Sequence, residues 1–134
     1  MQCIFEAVKR TGGHTVGVLP AKFEKGGRAI PGLDENIAVP DIPERKKIML
    51  DNSDVAIIMP GGIGTLDELF TTLVDNALGY RSVKVIIYNH NGFWNPLLDL
   101  FRHLEEIGML HIPTSRQFRV VETHDELVKE LTKA

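Results

Sequence analysis

The sequence predicts an α/β protein with a mostly parallel sheet covered by helices on both faces. Two short apolar runs, Asp54–Met59 and Val83–Tyr88, have the length and composition of buried strands. Segments with apolar residues at helical spacing alternate with such runs. A glycine-rich turn, Pro60–Thr65, directly follows one strand and leads into a helix. Strands alternating with helices are typical of parallel sheets.

The first part of the chain predicts two helices and two strands. The first helix runs from Met1 to about Arg10 and is ended by Gly12-Gly13, and a buried strand follows at His14–Leu19. A surface loop at Ala21–Asp34 then leads to a short strand at Asn36–Val39. The second helix ends near Asn52. Asp41 is the expected N-cap of that second helix, with Glu44 three residues later as in a capping box.

The rest of the chain continues the alternation. A buried strand is predicted at Asp54–Met59, followed by a helix through Leu66 and Leu73 that Gly79 ends. The next strand is Val83–Tyr88, and the helix after it has Asn95 as N-cap and runs to about Ile107. A strand near Phe118–Val121 precedes a C-terminal helix that the capping box Thr123–Glu126 opens.

The composition indicates one globular domain, residues 1–134, in the cytoplasm. The chain has 134 residues, of which 43% are hydrophobic and 25% charged. A net charge of -3 provides no general field for nucleic acid or an anionic membrane. Its single cysteine, Cys3, cannot form an internal disulfide, and no apolar run approaches the roughly 20 residues that span a bilayer.

The turn Pro60-Gly61-Gly62-Ile63-Gly64-Thr65 is the main candidate for a binding site. Glycines entering a helix N-terminus let a phosphate approach the unpaired backbone N–H groups there. The pattern matches neither the Walker A motif nor the dinucleotide fingerprint. The alternative is that the glycines serve only a tight turn and close helix packing.

Two further candidates each have a structural alternative. Glu68 could place a carboxylate near a bound ribose phosphate, to orient water or stabilise positive charge on the sugar; it could also complete a capping box with Thr65. Arg45 could hold a phosphate or the departing base with its fork of donors. Beside Lys46 and Lys47, it could equally belong to a solvated basic face.

Histidines and the tryptophan suggest no further site. The five histidines, His14, His90, His103, His111 and His124, have spacings that match no metal-ligand motif, so we expect no metal. Trp94, with Phe93 and Leu97, is interpreted as a packing anchor and not as a base-stacking platform.

Glu44-Arg45-Lys46, Met49, Ser53-Asp54 and the run Pro60–Glu68 together resemble the paired signature of the Lonely Guy (LOG) family. The two halves occur in the family's order and spacing. The resemblance extends from Met1 to the C-terminus and includes Gly12-Gly13 and Gly92–Leu98. As a combination it is specific, whereas neither half is specific alone.

The resemblance implies a Rossmann-like fold and release of the base from a nucleoside 5′-monophosphate, as in cytokinin riboside 5′-monophosphate phosphoribohydrolases. Arg45 and Glu68 would be the catalytic pair. Nucleotide contacts would come from Lys46, Gly61, Gly62, Gly64 and Thr65. No cofactor is implied, and a homodimer or larger homo-oligomer is expected. The family's older label, possible lysine decarboxylase, finds no pyridoxal-phosphate lysine context in this sequence.

The family pattern begins with a strand, a helix and a second strand that would precede Met1, so the fold is N-terminally shortened. Either the start is internal to a longer protein, which we favour, or the site is reduced. The alternative function is a non-catalytic nucleotide or molybdenum-cofactor carrier of the same fold.

Overall fold

The structure is a computed structural model that describes residues 2–24 and 31–133, with side chains described for residues 4–22 and 31–133. The chain forms two compact units, Met1–Asn52 and Ser53–Ala134. Each unit has its own parallel sheet with flanking helices. The predicted α/β class and Rossmann-like architecture are confirmed, whereas the single-domain organisation stays a prediction.

The first unit contains a two-stranded sheet. Its elements are α1 (Gln2–Arg10), β1 (Val16–Pro20), α2 (Ala21–Glu24), β2 (Glu35–Val39) and α3 (Ile42–Asp51). β1 and β2 are parallel. The short helix α2 lies where the sequence predicted a loop, because Ala21 and Lys22 are good helix formers. Residues 25–30 of that loop and the side chain of Cys3 lie outside the described residues.

The prediction that β1 is a buried strand is wrong. Only Pro20 is buried, and Val16 at the start of the strand is exposed. The reason is that β1 pairs with β2 alone in this sheet, so it has an edge where a central strand would have a second neighbour.

The start of α3 follows the predicted capping chemistry. The carboxylate of Asp41 accepts a hydrogen bond from the backbone N–H of Glu44 at 2.9 Å. Pro43 lies in the first turn, where its missing N–H costs nothing. The helix ends at Asp51 with Asn52 as its C-cap, as expected. This local chemistry sets the position of Arg45 and Lys46 in the chain's first unit.

The second unit contains a three-stranded sheet in the order β3-β4-β5. Its elements are β3 (Val55–Ile58), α4 (Ile63–Ala77), β4 (Lys84–Tyr88), a 3₁₀ turn at His90–Gly92, α5 (Asn95–Glu106), α6 (Thr114–Gln117), β5 (Arg119–Val121) and α7 (His124–Thr132). Both strand pairs are parallel, as predicted. The turn and the four-residue α6 were not predicted.

One face of this sheet is covered by α4 and α5. Val85 and Ile87 alternate along β4 and point to this face, where they meet apolar residues of both helices. The buried cluster consists of Ile58, Leu69, Leu73, Val85, Ile87, Trp94, Phe101 and Phe118. Because β4 has a strand on each side, it is the most buried strand, as its sequence predicted.

The other face is covered by α7. Ile86 is fully buried there, and Lys84 on the same face pairs with the Glu130 carboxylate of α7 at 3.3 Å. Hydrogen bonds from Lys133 and Lys84 lower the pKa of Glu130. The helix opens with the predicted capping box between Thr123 and Glu126. Helices therefore flank both faces of this sheet.

Two local predictions in this unit are wrong. β3 is not buried on both faces, since Ile57 is 38% exposed; β3 lies at the edge of the described sheet. Asn95 is not the N-cap of α5, because the helix already includes it and Trp94 takes the cap position. The Asn95 side chain instead accepts a hydrogen bond from the side-chain amide of Asn89 at 2.9 Å.

Asp34 ties the beginning of β2 to the beginning of β1. Its carboxylate accepts hydrogen bonds from the backbone N–H and hydroxyl of Thr15 at 2.8 and 2.6 Å, and pairs with the Lys9 ammonium at 2.7 Å. Lys9 and then Thr15 hold the pKa of Asp34 well below its ordinary value of 3.8.

This arrangement predicts an acid-sensitive contribution to stability. Because the pKa of Asp34 is lower in the folded chain, the unfolded chain binds more protons below about pH 4, and stability falls as the pH drops. Asp34→Asn should remove that part of the pH dependence. Urea denaturation of both chains between about pH 2 and 7 measures it. Glu106→Gln, which changes an exposed carboxylate, should keep the wild-type profile. Identical profiles for wild type and Asp34→Asn would contradict the assignment.

Candidate functional site

The glycine loop joins the end of β3 to the start of α4. The helix begins at Ile63, and Gly62 is its N-cap. β3 and β4 are parallel neighbours, so the loop lies at the carboxyl edge of the sheet together with the segment that follows β4. Ligands of open α/β sheets bind at this edge.

The N-terminus of α4 is chemically open. No acidic residue occupies its first turn, and Gly62 provides no side chain to cap its N–H groups. The N–H groups of Thr65 and Leu66 already donate to the Gly62 carbonyl, at 3.0 and 3.2 Å. The N–H groups before them have no intrahelical acceptor by helix geometry, and the helix dipole adds partial positive charge. This end of α4 can hold an anion.

The glycines of the loop are not all explained by packing. A Cβ atom on Gly61 would lie 2.2 Å from the Thr65 hydroxyl, so close packing requires glycine there. A Cβ atom on Gly62 or Gly64 would meet no atom within 4 Å, and neither residue has a positive φ. Close packing therefore accounts for Gly61, and the N-cap position, where glycine is common, accounts for Gly62 without requiring it. Neither reason applies to Gly64. The absent side chains of Gly62 and Gly64 keep the helix N-terminus open to a ligand.

Glu68 is not part of a capping box. That interpretation needs Thr65 as N-cap, but α4 begins two residues before Thr65. Glu68 lies one helical turn after Gly64, and residues four apart share a side of a helix. Its own carbonyl accepts a hydrogen bond from the Thr72 hydroxyl at 2.7 Å. A carboxylate is thus placed on the side of α4 where Gly64 leaves the helix bare.

Arg45 and its neighbours on α3 have different environments. The Arg45 Nε–H donates to the Val18 carbonyl of β1 at 3.0 Å, so the half-buried side chain is held against the sheet. Lys47 is exposed and lies 3.9 Å from the Glu44 carboxylate. A solvated basic face therefore describes Lys47 but not Arg45. Lys46 is half-buried.

The structure brings together five of the seven predicted site residues in its second unit. They are Gly61, Gly62, Gly64, Thr65 and Glu68, all in or next to the first two turns of α4. Arg45 and Lys46 lie on α3 in the first unit. Their assignment to the same site stays a prediction.

Asn89 is a residue that the sequence did not single out. It is buried at the end of β4, and its side-chain carbonyl accepts a hydrogen bond from the Trp94 backbone N–H at 2.7 Å. It thereby shapes the segment after β4, where Asn91 has a φ of 53°. Trp94 is buried in the core, which confirms it as a packing anchor. The Asn-Gly pair at 91–92 was the available signal for a tight turn.

Neither a metal site nor a membrane-spanning helix is found in the part of the chain that the structure describes. Among the side chains of residues 4–22 and 31–133, no three histidine, cysteine, aspartate or glutamate residues are grouped so that they could hold a metal ion. Of the helices within residues 2–24 and 31–133, none has both the length and the apolar character that crossing a membrane requires.

Comparison with known proteins identifies the family. The model of the family described as possible lysine decarboxylase matches residues 1–131. The chain belongs to this family. The predicted Lonely Guy membership is confirmed, since curated relatives carry the name cytokinin riboside 5′-monophosphate phosphoribohydrolase.

Three such relatives show the extent of the similarity. The Mycobacterium tuberculosis protein is 36% identical over 90% of this chain and 64% of its own length. The Rhodococcoides fascians protein is 34% identical over 90% of this chain and 61% of its own length. An Arabidopsis thaliana protein is 34% identical over 98% of this chain and 61% of its own length. This Lonely Guy chain therefore spans about three fifths of the relatives that it matches.

Gly64 provides a test of the open helix N-terminus. Gly64→Ala should stabilise the protein by about 0.5–1 kcal/mol, because alanine is the better helix former and its Cβ meets open space. The same methyl group should weaken phosphate binding by narrowing the approach to the N–H groups. Thermal unfolding measures stability, and phosphate titration followed through the amide NMR signals of residues 61–65 measures binding at this loop.

Gly79→Ala is the matched control, because Gly79 has a φ of +75° after the end of α4. It should destabilise the protein and leave phosphate binding unchanged. Unchanged phosphate binding in Gly64→Ala would argue against an anion site at this loop.

Proposed function

We propose that this protein hydrolyses the N-glycosidic bond of a purine nucleoside 5′-monophosphate, such as one with an N6-modified adenine. The products are the free base and ribose 5-phosphate. The observation that supports this most is the open, uncapped N-terminus of α4 with two glycines that packing does not require. The names of the relatives support the same reaction.

The phosphate group would bind first to the glycine loop. Backbone N–H groups of Gly62, Ile63 and Gly64 are the proposed donors, with the Thr65 hydroxyl beside them. The absence of acid from the first turn of α4 favours a dianion at this position. A phosphate held here would fix the ribose against the next turn of the helix, where Glu68 lies.

Glu68 would then act at the sugar. Cleavage of the bond between C1′ and the base nitrogen builds positive charge on the ribose, and a nearby carboxylate stabilises that charge. The same carboxylate can orient the water whose oxygen bonds to C1′. The bonding electron pair leaves with the base, which takes a proton, and the hydroxyl stays on ribose 5-phosphate. The reaction needs no cofactor.

Arg45 would hold the nucleotide and assist departure of the base. Its bond to the Val18 carbonyl uses Nε, and the guanidinium carries four further N–H donors on its two terminal nitrogens. Such a fork binds phosphate or a base nitrogen in a fixed geometry. Lys46 would contribute a second positive charge.

Assembly as a homodimer or larger homo-oligomer is part of the proposal. Along α4, one side exposes Ile63, Phe70, Val74 and Leu78. These positions form one stripe at helical spacing, and exposed apolar stripes mark interaction surfaces. The single cysteine fits a reducing compartment, and we propose the cytoplasm.

Glu68→Gln tests the reaction. The variant keeps the size of the side chain but not its negative charge, so base release should fall by about 100-fold or more. Nucleotide binding should remain measurable. Chromatography of free base after incubation with AMP and with N6-isopentenyl-AMP measures turnover, and calorimetry with AMP measures binding.

Asp67→Asn is the matched control on the preceding, exposed position of α4, and it should keep turnover within a few-fold of wild type. Full activity of Glu68→Gln would contradict the role of Glu68. Tight nucleotide binding by the wild-type chain without any release of base would instead favour a non-catalytic carrier, or a catalytic cleft that needs a segment outside this chain.

Arg45→Lys tests whether the site needs the planar guanidinium group of Arg45 or only its positive charge. Lysine keeps the positive charge but cannot donate from Nε to the Val18 carbonyl while presenting two further nitrogens. Turnover should fall at least about tenfold, with a loss of about 1 kcal/mol in stability from the missing hydrogen bond. Lys47→Arg should change neither quantity. Wild-type kinetics in Arg45→Lys would exclude a specific function for the fork.

A further inference from the structure

A cavity of about 410 Å³ opens at the amino edge of the three-stranded sheet. Asp54 precedes β3, Lys84 begins β4 and Arg119 begins β5, and all three line it. The glycine loop follows the other end of β3. A strand of four or five residues separates the two edges by about 13–17 Å. The cavity is therefore distinct from the proposed nucleotide site.

Four basic side chains line this cavity against one acidic side chain. They are Arg81, Lys84, Arg116 and Arg119, with Asp54 as the acidic residue. Arg81 is paired with Asp75, and Lys84 is paired with Glu130. These two pairs hold their cations in place and neutralise them.

Arg116 and Arg119 are not neutralised in this way. In the part of the chain that the structure describes, neither guanidinium pairs with a carboxylate. Arg119 donates to the Ser115 carbonyl through one terminal nitrogen, which orients the rest of its fork. The two arginines stand three residues apart at the end of α6 and the start of β5. Two arginines that line one cavity suit a phosphate group, which can accept from both.

The remaining lining suits a small organic molecule. Phe118, Val83 and Val85 are largely buried in the core, and their remaining exposure gives the cavity a small apolar floor. Ser82 adds a hydroxyl group at the rim. The volume falls within the range of about 300–1,000 Å³ found for small-molecule pockets. An apolar floor beside cations distinguishes an organic phosphate from a bare inorganic ion.

We propose that this cavity binds a small organic phosphate, with its phosphate group on Arg116 and Arg119 and its carbon skeleton over Phe118. Binding here leaves the glycine loop accessible, because the two sites lie at opposite ends of the strands. An organic phosphate shares the dianionic group with inorganic phosphate, but only the organic phosphate has a carbon skeleton that can contact the apolar floor.

Residue-resolved NMR of the full chain tests the proposal. Glycerol 3-phosphate should shift the amide signals of Ser82, Lys84 and Phe118. The double variant Arg116→Gln/Arg119→Gln should weaken that binding at least about tenfold, because charge-assisted hydrogen bonds are lost. The amide signals of Gly61–Thr65 report binding at the glycine loop separately. Absence of binding at one site therefore does not imply absence of binding at the other.

Arg102→Gln is the matched control, since Arg102 is an exposed arginine that pairs with Asp99 at 3.0 Å on α5. It should leave the shifts at Ser82, Lys84 and Phe118 unchanged. The proposal is overturned if glycerol 3-phosphate shifts none of these signals, or if the double variant binds as wild type does. Equal affinity for inorganic phosphate and glycerol 3-phosphate would also overturn the assignment to an organic ligand.

Discussion

Packing of α4 against the three-stranded sheet is the constraint on which the candidate site depends. Leu69 and Leu73 are buried against strand residues that include Ile87. Burial of such side chains stabilises the native chain by about 1.5–3 kcal/mol each. Because this contact fixes the axis and rotation of α4, it also fixes the direction in which the helix N-terminus points. The glycine loop is held at the carboxyl edge of the sheet as a consequence.

The same rotation of α4 divides its surface into sides with different chemistry. The leucines face the core, while Phe70 and Val74 belong to the exposed apolar stripe. Gly64 and Glu68 lie on a third side, between the core and that stripe by helix geometry. One helix therefore combines structural, catalytic and assembly surfaces in the proposed function. Glycine at position 64 lowers helix stability, and such a local cost is typical of functional positions.

Charge is distributed unevenly between the two edges of this sheet. The carboxyl edge has backbone donors and no acidic residue in the first turn of α4. The amino edge has arginine and lysine side chains, part of which are neutralised by Asp75 and Glu130. With a net charge of -3, the chain has no general attraction for anions. Any anion binding must therefore be local, through groups that the fold has already placed.

The sequence alone predicted the longer helices and the strands, because the signals for them are short-range; the short helices α2 and α6 and the 3₁₀ turn were missed. Asp41, Thr123 and Gly79 act on the backbone within a few residues, and the structure has the predicted cap or helix end at each. The sequence also indicated the glycine loop and the family, since both depend on residues close together in the chain. The burial of each strand and the partners of individual side chains were harder to predict from the sequence. The exposure of Ile57 depends on which strands neighbour β3, and the pairing of Asn95 with Asn89 replaced a cap that looked equally suitable locally.

Only the tertiary structure could choose between the alternatives for the site residues. Whether Glu68 caps α4 depends on where the helix begins, and Gly62 rather than Thr65 is the N-cap. Whether Arg45 is solvated depends on the Val18 carbonyl, a group 27 residues earlier in the chain. The basic cavity likewise assembles residues from three strand ends that the sequence keeps far apart. Sequence patterns report periodicity and local hydrogen bonding, whereas these contacts form only when distant segments pack together.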